Sequence, residues 1–359
     1  MKLRFISILL LFLVCGLTAV ELEFIDTVTL TGGGGDNFLK APTPLAVTED
    51  GYYLVPDYKD ADIKIFDLKG QFVKRVGSKG HGPNELIEPR GCDYLDGNFV
   101  ILDMGRRAYM LYSRDKESII KETDMLRSMY MGNDLASMKG DKVLLAGYKP
   151  DKEGNHWECF TYDFKSKKYN HLVNTSTKFG FNSYQAYQNA REDISAIGSG
   201  GYCDWWGDYA YFVWTGNLKI FKINLKTGQI TTFGQKTANY RTPVATDRLK
   251  KALKELNKVA WAREIDKFSL IKGLYTNQHY LMLMYDKPVE KDEETNSRIL
   301  QFYSLDGTFI TEIQITKAWG CSLYVSKDID DGIVYMLQLV PGKDGVEESY
   351  QVTRFKIVN

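Results

Sequence analysis

Residues 53–92 read YLVPDYKDADIKIFDLKGQFVKRVGSKGHGPNELIEPRGC. Four features follow one another in this stretch: an apolar strand, a polar loop, a two-strand hairpin and a glycine-rich connector running into a new strand. The hairpin IKIFDLKGQFV begins at Ile63. Relatives of it begin at Tyr109 (YMLYSRDKESII), Cys159 (CFTYDFKSKKY), Leu218 (LKIFKINLKTGQI) and Leu300 (LQFYSLDGTFI). A last half-copy begins at Tyr350 (YQVTRFKIV). Each alternates apolar and polar residues and then turns through Asp, Lys or Gly, the pattern of an antiparallel hairpin.

A second pair of strands precedes each hairpin. Their turns fall at Glu49-Asp50-Gly51, Asp96-Gly97-Asn98, Lys139-Gly140-Asp141, Trp206-Gly207-Asp208, Thr276-Asn277-Gln278 and Asp330-Asp331-Gly332. Asp57 and Asp103 stand at matching places, each nine residues before an aromatic, Phe66 and Tyr112. Four strands per unit, repeated every ~45–80 residues, predict an all-β, six-bladed β-propeller of four-stranded antiparallel blades. The sixth unit lacks a fourth strand. LEFIDTVTL, from Leu22, is expected to supply it and so close the ring.

The string VPDYKDADIKIFDLKGQFVKRVG, followed by GHGPNELIEPRG, resembles the NHL-repeat and TolB-like six-bladed β-propellers of exported bacterial proteins. The resemblance departs at Asn84, which stands where the family's turn, Gly-Pro-Gly-Glu, has its second glycine. It implies the fold and leaves function open, because that family hosts enzymes, sensors and binding proteins alike.

Lys2 and Arg4 precede an apolar run over residues 5–17, too short for a membrane span. Residues 1–19 read as a secretory signal cleaved near Ala19, leaving a propeller over 20–359 that is exported to the periplasm or beyond. The alternative is a lipid anchor at Cys15. Export permits disulfides. Cys92, Cys203 and Cys321 nevertheless fall near the starts of inner strands in alternate blades, too far apart to pair, and are expected to be free thiols.

Lys+Arg and Asp+Glu are equal at 46 each, so no net field favours nucleic acid or anionic membrane. His81, His156, His171 and His279 lack metal-ligand spacing, no G-x-S-x-G elbow is present, and the glycines of residues 32–35 lack a phosphate-loop ending. No metal or cofactor is expected. The acid-rich runs 57–62 (DYKDAD) and 290–294 (EKDEE) fail the EF-hand pattern and read as solvated loops.

Residues 246–268 predict one inserted helix. Leu249, Leu253, Leu256, Val259 or Ala260, and Ile265 form its apolar stripe, Thr246 or Asp247 caps it, and the stripe is expected to pack on the propeller. Loops after the second strands and the blade-to-blade connectors share one face. On that face the chain is elaborated, at 149–157, 178–198, 287–297 and 341–349 and by the helix. Long loops on a rigid scaffold are where binding concentrates. The inner strands start on the same face, placing Arg90, Asn133, Tyr202, Lys272 and Trp319 at the channel mouth. These side chains suit a polar or sugar-like ligand. A monomeric binding module for a protein, carbohydrate or small polar ligand, with no membrane span, is the reading favoured over a hydrolase or lyase at the channel mouth.

Overall fold

A computed structural model describes residues 20–31, 38–95, 97–122, 130–131, 137–150, 156–174, 190–198, 200–289, 297–315, 319–325, 332–340 and 349–358. Six antiparallel sheets follow one another along the chain. Blade 1 runs through Ala46–Val47, Tyr52–Asp57, Asp62–Asp67 and Phe72–Val76 from channel to rim. Blade 2 runs through Pro89–Leu95, Asn98–Asp103, Ala108–Ser113 and Ser118–Glu122. In blade 3, Tyr130–Met131 and Ser137–Lys139 both pair with Lys142–Pro150, followed by His156–Asp163 and Lys168–Asn174.

Blade 4 comprises Gly201–Trp206, Tyr209–Trp214, Ile220–Asn224 and Ile230–Phe233. Blade 5 comprises Ile271–Thr276, Tyr280–Asp286, Arg298–Ser304 and Phe309–Ile315. Blade 6 takes Trp319–Val325, Ile333–Val340 and Ser349–Val358 from the C-terminal part and Glu21–Leu30 from the N-terminal part. The ring closes as expected: Glu21 lies opposite Val358 and Leu30 opposite Tyr350.

The tight inner turns require left-handed backbone. Gly51, Gly97, Gly140, Gly207 and Gly332 all have positive φ there. In blade 5, Asn277 replaces the glycine with its side chain, Oδ1 accepting from the backbone N–H groups of His279 and Tyr280. Asn84 has φ +62, the conformation glycine adopts freely and asparagine tolerates best among other residues. Its Oδ1 accepts the Ile119 N–H at 2.6 Å, tying the connector to the outer strand of blade 2. That bond is one that glycine at this position could not make.

Both faces of a blade meet a neighbour, so apolar side chains are buried on both sides of the sheet. Ile63, Ile65 and Phe66 are all buried, as are Phe212 and Val213. The inner strands are stitched to one another around the channel. Asp93 accepts from Met138 N–H at 2.9 Å, and Asp204 accepts from Thr276 N–H and Oγ1–H at 2.7 and 2.9 Å. Trp205 Nε1 donates to Met138 O, and Tyr324 OH donates to Val47 O across the closing seam. Cys92, Cys159 and Cys203 are free and buried, and the Cys321 side chain lies outside the described residues.

The repeated aspartate has a definite task. Asp57 accepts from the backbone N–H groups of Lys40 and Ala41, and Asp103 from those of Ile87 and Glu88. Each carboxylate, at the end of a second strand, holds the connector that enters its blade. The run 57–62 is therefore no solvated loop. Asp57, Asp60 and Asp62 converge on the Lys64 ammonium at 3.1, 2.6 and 3.3 Å, and Lys64 is fully buried. A lysine from the chain occupies the place where such a carboxylate cluster would otherwise attract a cation.

The expected single helix is two: α2, Asp247–Lys254, and α3, Lys258–Ile265, preceded in the chain by α1, Arg191–Ile197. The apolar stripe does not hold along its length. Leu249 and Ile265 are buried with Ile194, Ala196, Ile197, Trp214 and Leu270, and Ala252 is buried too, whereas Leu253, Leu256 and Val259 face solvent. Trp261 Nε1 donates to Ala196 O at 2.8 Å, fixing α3 on α1. Thr246 caps α2 by accepting from Leu249 N–H. Thr246→Ala is expected to cost about 1 kcal/mol in chemical denaturation, the ordinary worth of such a cap.

Candidate channel-mouth site

The two ends of the ring differ in the length of their chain crossings. In blades 1–5, the turns after first and third strands are no longer than five residues. On the other end lie the connectors, including residues 234–270 with α2 and α3, and the links after second strands. The residues 151–155, 175–189, 290–296 and 341–348, which make up most of the other expected long loops, lie outside the described ones.

Arg90, Tyr202 and Lys272 are each the second residue of an inner strand, and Trp319 is the first of its own. All four therefore belong to the rim of the elaborated end. Asn133 and the Trp319 side chain lie outside the described residues. Arg90 is half-buried. Its Nε donates to Glu88 Oε1 at 2.9 Å, and its guanidinium lies 4.0 Å over the Tyr58 ring, in the loop of the neighbouring blade. That stacking holds the cation at the junction of blades 1 and 2 without consuming its remaining donors. Tyr202 is half-buried on blade 4.

On blade 5, Lys272 Nζ is 3.3 Å from Asp286 Oδ2, and Arg298 Nε is 3.2 Å from Asp286 Oδ1. Asp286 ends its second strand, where Asp57 and Asp103 end theirs. In blades 1 and 2 that carboxylate holds backbone N–H groups. In blade 5 it holds two cations side by side. Beside that carboxylate, Lys272 keeps 33% and Arg298 22% of its side chain exposed.

The partners found for Arg90 and Lys272 come from their own or the adjoining blade. The two are brought to one rim without touching across the mouth. Sequence reasoning missed Tyr58, Glu88, Asp286 and Arg298. The register of Asp286 with Asp57 and Asp103 was a usable signal for it. Arg298 lies beyond a long loop and had none.

Burial pushes the Cys92 thiol up, and its Sγ lies 3.7 Å from Leu54 O, so it is held as a neutral thiol. Burial, with Asp93 and Asp204 nearby, likewise raises Tyr324 well above the usual phenol range. Among the described residues no group of three or more His, Cys, Asp or Glu is placed to hold a metal ion, and no helix is long and apolar enough to cross a membrane.

A model of the DUF5128 family, described as 6-bladed beta-propeller, matches residues 21–294. The chain belongs to this family. No curated protein matches it. Among solved structures, a member of the DUF4221 family from Bacteroides vulgatus is similar over 95% of this chain and 99% of that one, with a TM-score of 0.67 at 15% identity. A protein from Bacteroides fragilis described as exported is similar over 96% and 97%, with a TM-score of 0.58 at 14% identity. At such identities the DUF5128 chain shares a fold with these two proteins, and the likeness extends no further.

Proposed function

We propose that this chain is an exported propeller of the NHL-repeat, TolB-like type that binds a polar ligand or a protein through its elaborated face. The observation that carries the reading is the Lys272–Asp286–Arg298 cluster at the rim of that face, where the repeat's structural aspartate is turned to holding partly exposed cations. Arg90, stacked on Tyr58, offers a further guanidinium and an aromatic on the same rim. Forked donors beside aromatic rings suit a carboxylate-bearing sugar or an acidic peptide. Export is supported by the basic and apolar pattern of residues 1–19 and by the description of the Bacteroides fragilis relative as exported.

The test is calorimetric titration with uronic-acid oligosaccharides and with their neutral counterparts. The acidic sugars are expected to bind, and Lys272→Ala with Arg298→Ala to weaken them by about tenfold, the worth of one charge-assisted contact. Equal binding of acidic and neutral sugars, or an unaffected double variant, would remove the cluster from the site. Turnover of the bound sugar would instead support the hydrolase or lyase reading.

A further inference from the structure

The turn between α2 and α3 is built in an unusual way. Leu256 N–H donates to Leu253 O, and Asn257 N–H donates to Ala252 O. This paired pattern closes a helix C-terminus through a left-handed residue, a place that glycine normally fills. Here the residue is Leu256, at φ +53. A bulky side chain in that conformation is strained. The strain is not offset by burial: Leu256 is 84% exposed, the highest value among the exposed large apolar residues described. Val259, one turn on, is 63% exposed, and Leu253 is 36% exposed. Asn257 then caps α3, Oδ1 accepting from Ala260 N–H at 3.0 Å, so the corner is held rigidly from both helices.

The charge around this corner is one-sided. The chain as a whole is neutral, but residues 247–267 carry seven basic and four acidic side chains, a net charge of +3. Lys254 and Lys258 flank Leu256 in sequence, are exposed, and have no ion-pair partner among the described residues. Lys251 is 3.9 Å from Glu255, a loose surface pair. The result is an exposed apolar point flanked by two unpaired ammonium groups, those of Lys254 and Lys258.

We propose that the corner between α2 and α3 docks on an anionic lipid surface, with Leu256 and Val259 entering the interface while Lys254 and Lys258 meet the headgroups. Two observations favour lipid over an acidic protein. The apolar side chains protrude rather than line a groove, and a bilayer interface accepts a protruding side chain without a matching pocket. The lysines stand beside them on long stems, able to stay with the headgroups as the leucine goes deeper.

Vesicle sedimentation of the protein tests the proposal, comparing phosphatidylcholine alone with phosphatidylcholine containing about one third phosphatidylglycerol. Binding is expected only to the anionic vesicles and to weaken with added salt. Lys254→Glu with Lys258→Glu should weaken it by about tenfold or more. The decisive variant is Leu256→Gly, which relieves the left-handed strain and removes the apolar point together. It should melt at a higher temperature than the parent and yet bind vesicles about tenfold more weakly. Lys272→Ala should bind vesicles as the parent does. No binding to anionic vesicles, full binding by Leu256→Gly, or equal loss in Lys272→Ala would overturn the proposal. So would capture of an acidic protein by the corner without vesicle binding.

Discussion

Lys64→Met is expected to lower the unfolding free energy by about 3–5 kcal/mol, whereas Lys40→Ala should cost less than about 1 kcal/mol. Both lysines pair with Asp60, and they differ in burial and in how many carboxylates each ammonium meets. Lys40 is a surface partner, well exposed. Lys64 is enclosed completely, and its ammonium is the common neighbour of Asp57, Asp60 and Asp62. Methionine nearly conserves its volume, so the change leaves three converging carboxylates without their cation rather than a cavity.

The pH dependence carries the same signature. Burial raises the Asp60 carboxyl, but hydrogen bonds from Lys40 and Lys64 outweigh it and hold the group below its ordinary range. Its contribution is therefore full above the usual carboxylate pKa and is lost as pH falls through the depressed value. Burial disfavours the Lys64 ammonium, but Asp60, Asp62 and Asp57 outweigh that and raise it. Its contribution persists below the usual lysine value and is lost as pH rises through the raised one. Asp62 is the opposite case: burial dominates and raises its carboxyl, so its ionisation works against folding at neutral pH. Asp62→Asn should thus be the mildest change in the cluster. The deficit of Lys64→Met, measured by denaturant titration, should shrink from pH 7 toward pH 4 as the bereft carboxylates protonate. A deficit independent of pH would refute the electrostatic account.

The ring was legible in the chain because alternation and tight turns are local, and local patterns survive repetition with drift. The alternating hairpin at Ile63 and its echoes mark every third strand, and the spacing of Asp57 and Asp103 marks a shared structural task. Lys64 was not legible. In IKIF it sits at a polar position of an alternating strand, which ordinarily means solvent. The middle strands of a propeller blade have no solvent face, because a neighbouring blade covers each side, so the polar position had to bring its own partners. The helical insertion failed for a related reason. Leu249, Leu253 and Leu256 keep helical spacing, and periodicity alone cannot reveal that Leu256 adopts a left-handed conformation and ends the helix. At the rim, inner-strand starts placed Arg90, Tyr202, Lys272 and Trp319 on one end. The carboxylate that sets Lys272 beside Arg298 depends on strand pairing across residues 287–297, which no local pattern encodes.

Deleting residues 20–30 is the second change expected to have a large effect. Glu21–Leu30 is the rim strand of blade 6, and without it Ser349–Val358 becomes an open edge. Val20 and Leu30 are buried, and fully burying such side chains is worth about 1.5–3 kcal/mol each, so the loss is about 3–6 kcal/mol before any hydrogen bond is counted. The exposed edge would also invite pairing with another copy, and association should appear in size-exclusion chromatography at raised concentration. A synthetic peptide of residues 20–31, added in trans, should restore the monomer and most of the thermal midpoint by refilling the edge. Its register is set partly by charge. Arg354 donates to Asp26, and that hydrogen bond, more than burial opposes it, holds the Asp26 carboxyl below its ordinary range. Peptide binding should therefore be complete above the usual carboxylate pKa and weaken as pH falls through the depressed one. An Asp26→Asn peptide should lose that pH dependence while still adding a strand. If the truncated chain melts like the parent and stays monomeric, the ring does not depend on this strand for closure.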